Sequence, residues 1–187
     1  MNLTIEPPSA DLTYWEQIGT TKWGSYTTGI EARAIDRAHS LLPKPTTALE
    51  IGCEGGRWSK RLADRGWNMI CTDVNRDTLS VCQERIPDAR CIHVDEDRRD
   101  LPAADNEVDL VLCIEVPPVI HAGWFPGELD RVLRDDGYLV GVFFNNCSAR
   151  GGLAHRKAER NSSFDFYKLP YAPWRQQLRE RGYNIIH

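Results

Sequence analysis

Five residues, Gly52-Cys53-Glu54-Gly55-Gly56, follow directly on the apolar run Ala48-Leu49-Glu50-Ile51, and their composition is that of a backbone turn made to meet a ligand. Glycine admits positive φ and lets main chain approach a bound group more closely than any Cβ would allow. The amphipathic stretch after it, Trp58 to Ala63, predicts a helix whose N-terminus faces the same space. A dinucleotide fingerprint would need G-x-G-x-x-G, with pyrophosphate on the helix N-terminus. Its third position here is Glu54, a carboxylate aimed at that phosphate, so the pattern is not met. The six cysteines contain no C-x-x-C pair, and no His, Cys and carboxylate spacing matches a metal site.

The elements that must position this turn alternate regularly. A helical pattern carries Ile30, Ala34, Ile35, Ala38, Leu41 and Leu42, and Pro43 and Pro45 end it. The first strand is Ala48 to Ile51, followed by a helix over 57–65 with Gly66 as its C′ residue. The second strand is Met69 to Thr72, and Asn75 caps a helix carrying Leu79, Cys82 and Ile86. Arg90 to Val94 is the third strand, and the almost uninterrupted apolar run Val108 to Ile114 the fourth, as suits the middle of a parallel sheet. A helix over 125–133, the turn Arg134-Asp135-Asp136-Gly137 and a fifth strand over 138–144 follow. Residues 145–168 read as a long connection with at most a short helix, 173–181 as a helix ended by Gly182, and 183–187 as the start of a strand. Strands alternating with helices over short turns give a doubly wound α/β sheet with helices on both faces.

At 187 residues the length fits one domain. Net charge −4 argues against a nucleic-acid surface, which needs an excess of Lys and Arg. Residues 148–187 nevertheless carry eight Lys or Arg against three Asp or Glu, which suits either an anionic substrate or a solvated face. Cys71, Cys91 and Cys113 fall in predicted strands and read as buried thiols in a reducing compartment. Met1 to Pro8 lacks the regions of a signal peptide, and no apolar run approaches the ~18 residues that span a bilayer. The expectation is a cytoplasmic protein with no membrane partner.

Leu49-Glu50-Ile51-Gly52-Cys53-Glu54-Gly55-Gly56 resembles motif I of the class I S-adenosylmethionine-dependent methyltransferases, an acidic residue, x, Gly, x, Gly, x, Gly. The likeness continues in order through Asp73, Asp97-Arg98-Arg99-Asp100-Leu101-Pro102, Asp109-Leu110-Val111-Leu112-Cys113, Arg131-Val132-Leu133 and Asp136-Gly137. It covers roughly residues 30–187, with 1–29 as an aromatic-rich N-terminal cap segment, and is closest to the small-molecule branch. It implies a Rossmann-like sheet whose C-terminal strand set is incomplete here. The family's seventh strand has no residues left after His187, so the strand-five edge is covered by a partner chain, by the final strand or by the long loop, or the chain is cut short. A homodimer through that edge is one expectation.

The resemblance implies S-adenosylmethionine as cofactor, leaving as S-adenosylhomocysteine, with Glu50, Gly52, Cys53, Glu54, Gly56, Asp73, Val74, Asp97, Arg98 and Cys113 around it. Gly52 and Gly56 pass under its methionine part, Asp73 accepts from both ribose hydroxyls, Asp97 and the backbone of Arg98 meet adenine, and Glu50 orients the glycine loop. An ionised carboxylate, acceptor-only, suits two adjacent hydroxyl donors. Asp73 also suits a helix N-terminal turn, and the register at Asp97 is open because Asp95, Glu96 and Asp100 crowd it. Glu54 stands where the family has glycine, so a positive φ there costs about 1 kcal/mol or more.

After the fourth strand, Glu115-Val116-Pro117-Pro118-Val119 lacks the polar acceptor and aromatic ring of base-amino methylating enzymes, and no Pro-Cys pair exists, which disfavours nucleic acid. The expected reaction is methyl transfer to a small molecule, at oxygen ahead of nitrogen or carbon. If the acceptor is a hydroxyl, His121 and Glu115 are the candidate general bases, His121 otherwise being a loop histidine. Tyr14, Trp15, Trp23 and Tyr26 form either a substrate lid or simple packing of the cap. The alternative function is a catalytically silent cofactor-binding domain that serves as partner or sensor.

Overall fold

A computed structural model of the chain describes residues 13–161 and 165–186. The N-terminal residues read against a signal peptide, the Ser162-Ser163 part of the long connection and the terminal His187 lie outside the described residues. The described elements, in order, are α1 (Tyr14–Gly19), α2 (Lys22–Leu41), β1 (Thr47–Ile51), α3 (Arg57–Ala63), β2 (Asn68–Asp73), α4 (Arg76–Arg85), β3 (Arg90–His93), β4 (Val108–Cys113), α5 (Pro117–Ile120), α6 (Phe125–Val132), β5 (Leu133–Gly141), α7 (Ala149–Asn161) and α8 (Tyr171–Glu180). The fold is α/β, with β1–β2, β2–β3 and β4–β5 all paired in parallel, and it divides into two compact units at Glu96–Asp97.

In the first unit β2 lies between β1 and β3, with Leu49 opposite Ile70 and Cys71 opposite Cys91. α3 packs on β2, and α4 on β2 and β3. Asn75 caps α4 as its side chain predicted, its Oδ1 accepting from the amides of Asp77 at 2.9 Å and Thr78 at 3.4 Å. Gly66, at φ 87°, closes α3 with its amide on Ala63 O and that of Trp67 on Leu62 O. α2 starts eight residues earlier than the periodicity from Ile30 suggested and runs unbroken across residues 29 and 30. Thr21 supplies its cap, accepting from the Gly24 amide at 3.0 Å. A bidentate bond from Arg61 and a further one from Arg65 to Asp36 fasten α2 to α3 and hold the Asp36 carboxyl down at about 2.

In the second unit β4 pairs with β5 in parallel; β5 starts at Leu133, so the residues expected as a turn, Arg134 to Gly137, lie within the strand as a bulge that shifts its register, with Asp136 at φ 64°, and the strand ends at Gly141, short of the expected 144. α6 presents Phe125, Leu129 and Val132 on one stripe, all fully buried with Val108, Leu110, Val111, Leu112 and Ile120. Two further expectations fail here. The connection after β5 holds a thirteen-residue helix, α7. Residues 183–186 form no strand, because the Tyr183 amide is taken by Leu178 O at 3.1 Å and Gly182 at φ 94° closes α8, which leaves that backbone committed to a helix end.

α1 turns back onto α2 only because residue 24 has no side chain: a Cβ there would lie 1.9 Å from the Ile18 carbonyl oxygen. Gly24→Ala is therefore expected to cost about 1–3 kcal/mol and to detach α1. Limited proteolysis checks it, with faster cleavage around residues 19–21 than in the parent.

Candidate functional site

The chain leaves β1 through Gly52 at φ 67°, Glu54 at φ 50° and Gly56 at φ 78°, and Gly56 then caps α3. Positive φ at Gly52 is free of strain, whereas at Glu54 it is not. The loop is held at both ends. The Ser59 hydroxyl of α3 donates to Glu50 on β1, and the Cys53 amide donates to Thr72 O at 2.9 Å. A Cβ on Gly56 would stand 2.6 Å from Cys82 Sγ, so glycine is also required by close packing on α4.

Glu50 is buried among these groups with only 3% of its surface exposed. Burial, opposed only in part by the Ser59 bond, raises its carboxyl to about 8, so at neutral pH it is a protonated acid. The sequence marked Glu50 as the acidic residue of the motif; its protonation is a consequence of burial.

Asp73 ends β2 with both oxygens oriented by main chain: Oδ2 accepts from the Glu54 amide at 2.8 Å and Oδ1 from the Asn75 amide at 2.8 Å. Both roles open in the sequence are thus compatible, since each oxygen keeps a lone pair. Val74 beside it is half exposed, its carbonyl 3.1 Å from His93 Nε2.

Glu54 does not point its charge into open space over the loop. Its Oε2 accepts from the Thr13 hydroxyl at 2.6 Å and its Oε1 from the Trp15 amide at 3.2 Å, so a residue of the glycine loop satisfies the orphan donors at the start of α1. Arg85 of α4 completes the attachment, bonding Glu16 at 2.9 and 3.1 Å and Gly55 O at 2.9 Å. Gly55 admits this approach, because a Cβ there would be 2.4 Å from Thr13 Cγ2. Thr13 and Glu16 did carry a local signal that the sequence reading passed over, the T-x-x-E capping box in which the Thr13 amide donates to Glu16 at 2.9 Å; their links to Glu54 and Arg85, 41 and 69 positions away, left none.

The cap rings pair with each other, Tyr14 with Trp15 at 5.3 Å and Trp23 with Tyr26 at 5.7 Å, and all four stay exposed, three of them by 58–62%. Beneath the loop, Cys53, Cys71 and Cys82 bring their sulfur atoms within 4.8 Å of one another. Residue spacing gave no indication of this cluster.

In the second unit Asp97 is exposed, and the Arg98 guanidinium turns to Asp100 at 2.5 Å. Leu101 is pinned to α6, its amide on Glu128 at 2.8 Å and its carbonyl on Arg131 at 2.9 Å, which gives the Arg131 landmark a structural task. Cys113 is fully buried and burial pushes its thiol up. Glu115 takes φ 58° at the end of β4, and His121 is the residue after α5.

His121 is no solvent-exposed loop residue. Its ring lies 4.6 Å from Phe143, which in turn meets Trp174 at 4.8 Å and Tyr171 at 5.5 Å. Among the described residues its buried Nε2 has no hydrogen-bond partner, and neither has Trp174 Nε1. Burial holds the imidazole below its ordinary value, hence neutral at pH 7 and able to accept a proton. Phe143, Tyr171 and Trp174 were not singled out in the sequence; Phe143, expected in the fifth strand, lies beyond the end of β5 at Gly141, and Tyr171 and Trp174 stand on α8.

Residues 49–141 match the family model described as a methyltransferase domain. An uncharacterised methyltransferase of Mycobacterium tuberculosis is 26% identical over 137 residues, 73% of this chain and 55% of the relative, so the chain spans about half the length of the curated relatives it first matches. A fatty-acid O-methyltransferase of Mycolicibacterium smegmatis is 34% identical over 95 residues, 49% of this chain and 35% of that protein. A solved structure from Bacillus halodurans, assigned to the methyltransferases, superposes with a TM-score of 0.67 at 20% identity over 85% of this chain and 71% of its own. At that identity the likeness shows the fold.

Two outcomes follow from the loop. Glu50, raised in the folded state from 4.5 to about 8, adds stability that is complete below pH 4.5, declines as pH rises and is gone above about 8. Thermal melts of Glu50→Gln across pH 4.5–8 are expected to lack that decline. Glu54→Ala keeps the strained φ and loses the Thr13 and Trp15 bonds, while Glu54→Gly also removes the strain. Denaturant titration is expected to place the glycine variant about 1 kcal/mol above the alanine one.

Proposed function

This chain belongs to the class I S-adenosylmethionine-dependent methyltransferases, and from that membership we propose that it transfers a methyl group from S-adenosylmethionine to an oxygen of a small molecule, ahead of nitrogen or carbon. The observation that carries the cofactor half is Asp73, an ionisable carboxylate at a strand end, fixed by two backbone amides with lone pairs to spare. That acceptor fits two vicinal ribose hydroxyls, each a donor seeking an acceptor-only group. Gly52 and Gly56 supply main chain without side chains beneath the methionine part, and the Ser59–Glu50 bond across the loop supports its shape. Glu54 and Cys53 lend backbone, Val74 flanks the ribose, and Asp97 with the backbone of Arg98 takes the adenine. Cys113 acts by packing at the strand end.

When bound, S-adenosylmethionine supplies an electrophilic methyl on sulfur. The chain's own residues have then to hold the acceptor in line and accept its proton, and placement alone supplies much of the rate. His121 is the favoured base, because its Nε2 is unpartnered among the described residues and burial keeps the imidazole neutral. Glu115 is the second candidate. The ring of Phe143 against His121, backed by Tyr171 and Trp174, favours an acceptor with an apolar or aromatic body. The fatty-acid O-methyltransferase relative supports an oxygen acceptor of that character. Tyr14, Trp15, Trp23 and Tyr26 are proposed as a cap that covers substrate. No helix among the described residues is long and apolar enough to cross a membrane, and a cytoplasmic enzyme is the reading we adopt. β5 pairs with β4 on one side, and a second copy of the chain is proposed to cover its other edge.

Calorimetric titration with S-adenosylmethionine tests the cofactor half. Asp73→Ala is expected to weaken binding about 10- to 100-fold, the range for hydrogen bonds to a charged group. No binding by the parent chain sinks the proposal. Binding without turnover of any hydroxyl or carboxyl acceptor in a broad panel would instead favour a silent binding domain.

A further inference from the structure

Three of the six cysteines meet at one buried point in the first unit, and each comes from a different element: Cys53 from the glycine loop, Cys71 from β2 and Cys82 from α4. A buried free cysteine is ordinarily a small apolar side chain. Packing alone does not require three sulfur atoms to face one another within 4.8 Å, nor a fourth, Cys91 on β3, to stand 3.9 Å from Cys82. We propose that Cys53, Cys71 and Cys82 form a three-thiolate site for one soft d10 cation of the zinc or cadmium class.

The distances suit such an ion. Thiolates about 2.3 Å from a tetrahedral zinc stand about 3.8 Å apart, so the cluster needs to contract by at most about 1 Å. Soft thiolate ligands select this class of cation over magnesium or calcium. The fourth position is open to Cys91 or to water. Cys91 also lines a surface hollow with Leu79, Gln83, Pro87 and His93. Ser59 stands beside the site: in the metal-free chain the Cys71 thiol donates to its Oγ at 3.1 Å, and on binding the bond reverses, the hydroxyl donating to the thiolate. Each ligand sheds its thiol proton to solvent on binding. The bound ion would join the glycine loop to β2 and α4, three elements that otherwise meet there through packing and single hydrogen bonds.

This site does not rest on the methyl-transfer reading, and its test needs no cofactor. The full chain, reduced and stripped of metal, is titrated with Cd2+. One equivalent per chain is expected to produce the ultraviolet thiolate-to-cadmium charge-transfer band, to raise the melting temperature, and to show three or four sulfur neighbours by X-ray absorption. Cys71→Ser and Cys82→Ala, checked for folding by circular dichroism, are each expected to weaken Cd2+ at least 10-fold. Cys147→Ser, at an exposed thiol, is expected to leave it unchanged. Absence of the band in the parent overturns the site, as does a count of two or fewer sulfur neighbours, which is read on the parent chain whether or not any variant folds. Loss of binding in Cys147→Ser, or its full retention in both cluster variants, would also overturn it.

Discussion

Between β1 and α3 three of five residues hold positive φ, and the first unit is arranged around keeping that path. A turn of this kind exposes backbone amides and leaves little side chain to cover them, so its shape must be imposed from outside. Ser59 bonded to Glu50 braces its two flanking elements, Thr72 O and Asp73 Oδ2 take the amides of Cys53 and Glu54, and Cys82 fills the space beneath Gly56. These partners are spread over four elements, which means the loop is formed only when β1, β2, α3 and α4 are already together.

Glu54 links this loop to the N-terminal helix. Its left-handed backbone costs free energy, and its carboxylate offsets part of that by satisfying Thr13 and Trp15 at the start of α1. A residue that departs from the family's glycine thus has a structural use in this chain: it anchors the segment carrying the exposed rings of Tyr14, Trp15, Trp23 and Tyr26. The same economy of position recurs below the loop, where burial keeps Glu50 protonated and places three thiols side by side.

Much of the scaffold was legible in order and type. The caps Asn75, Gly66 and Gly182 and the apolar β4 follow from rules that operate over a few residues. Where expectation and structure part, the cause is non-local or a competing local signal. α7 lies in a stretch with Gly151-Gly152, which read as loop, yet Gly151 is buried against Asn145 O, where a Cβ would sit at 2.2 Å, so the glycine serves packing. The strand expected after Gly182 is replaced by a helix end that takes its first amide.

The sequence by itself determined the alternation of strands and helices, the left-handed positions that glycine marks, and the family to which residues 49–141 are similar. These depend on periodicity, turn chemistry and short motifs, all encoded in neighbouring residues. Only the tertiary structure decided that Glu54 bonds the start of α1, that Glu50 is neutral, that His121 packs on Phe143, itself set against Tyr171 and Trp174, and that Cys53, Cys71 and Cys82 converge. The reason is physical: charge state and hydrogen-bond partnership depend on desolvation and on distance in space, and neither is fixed until elements remote in the chain have packed.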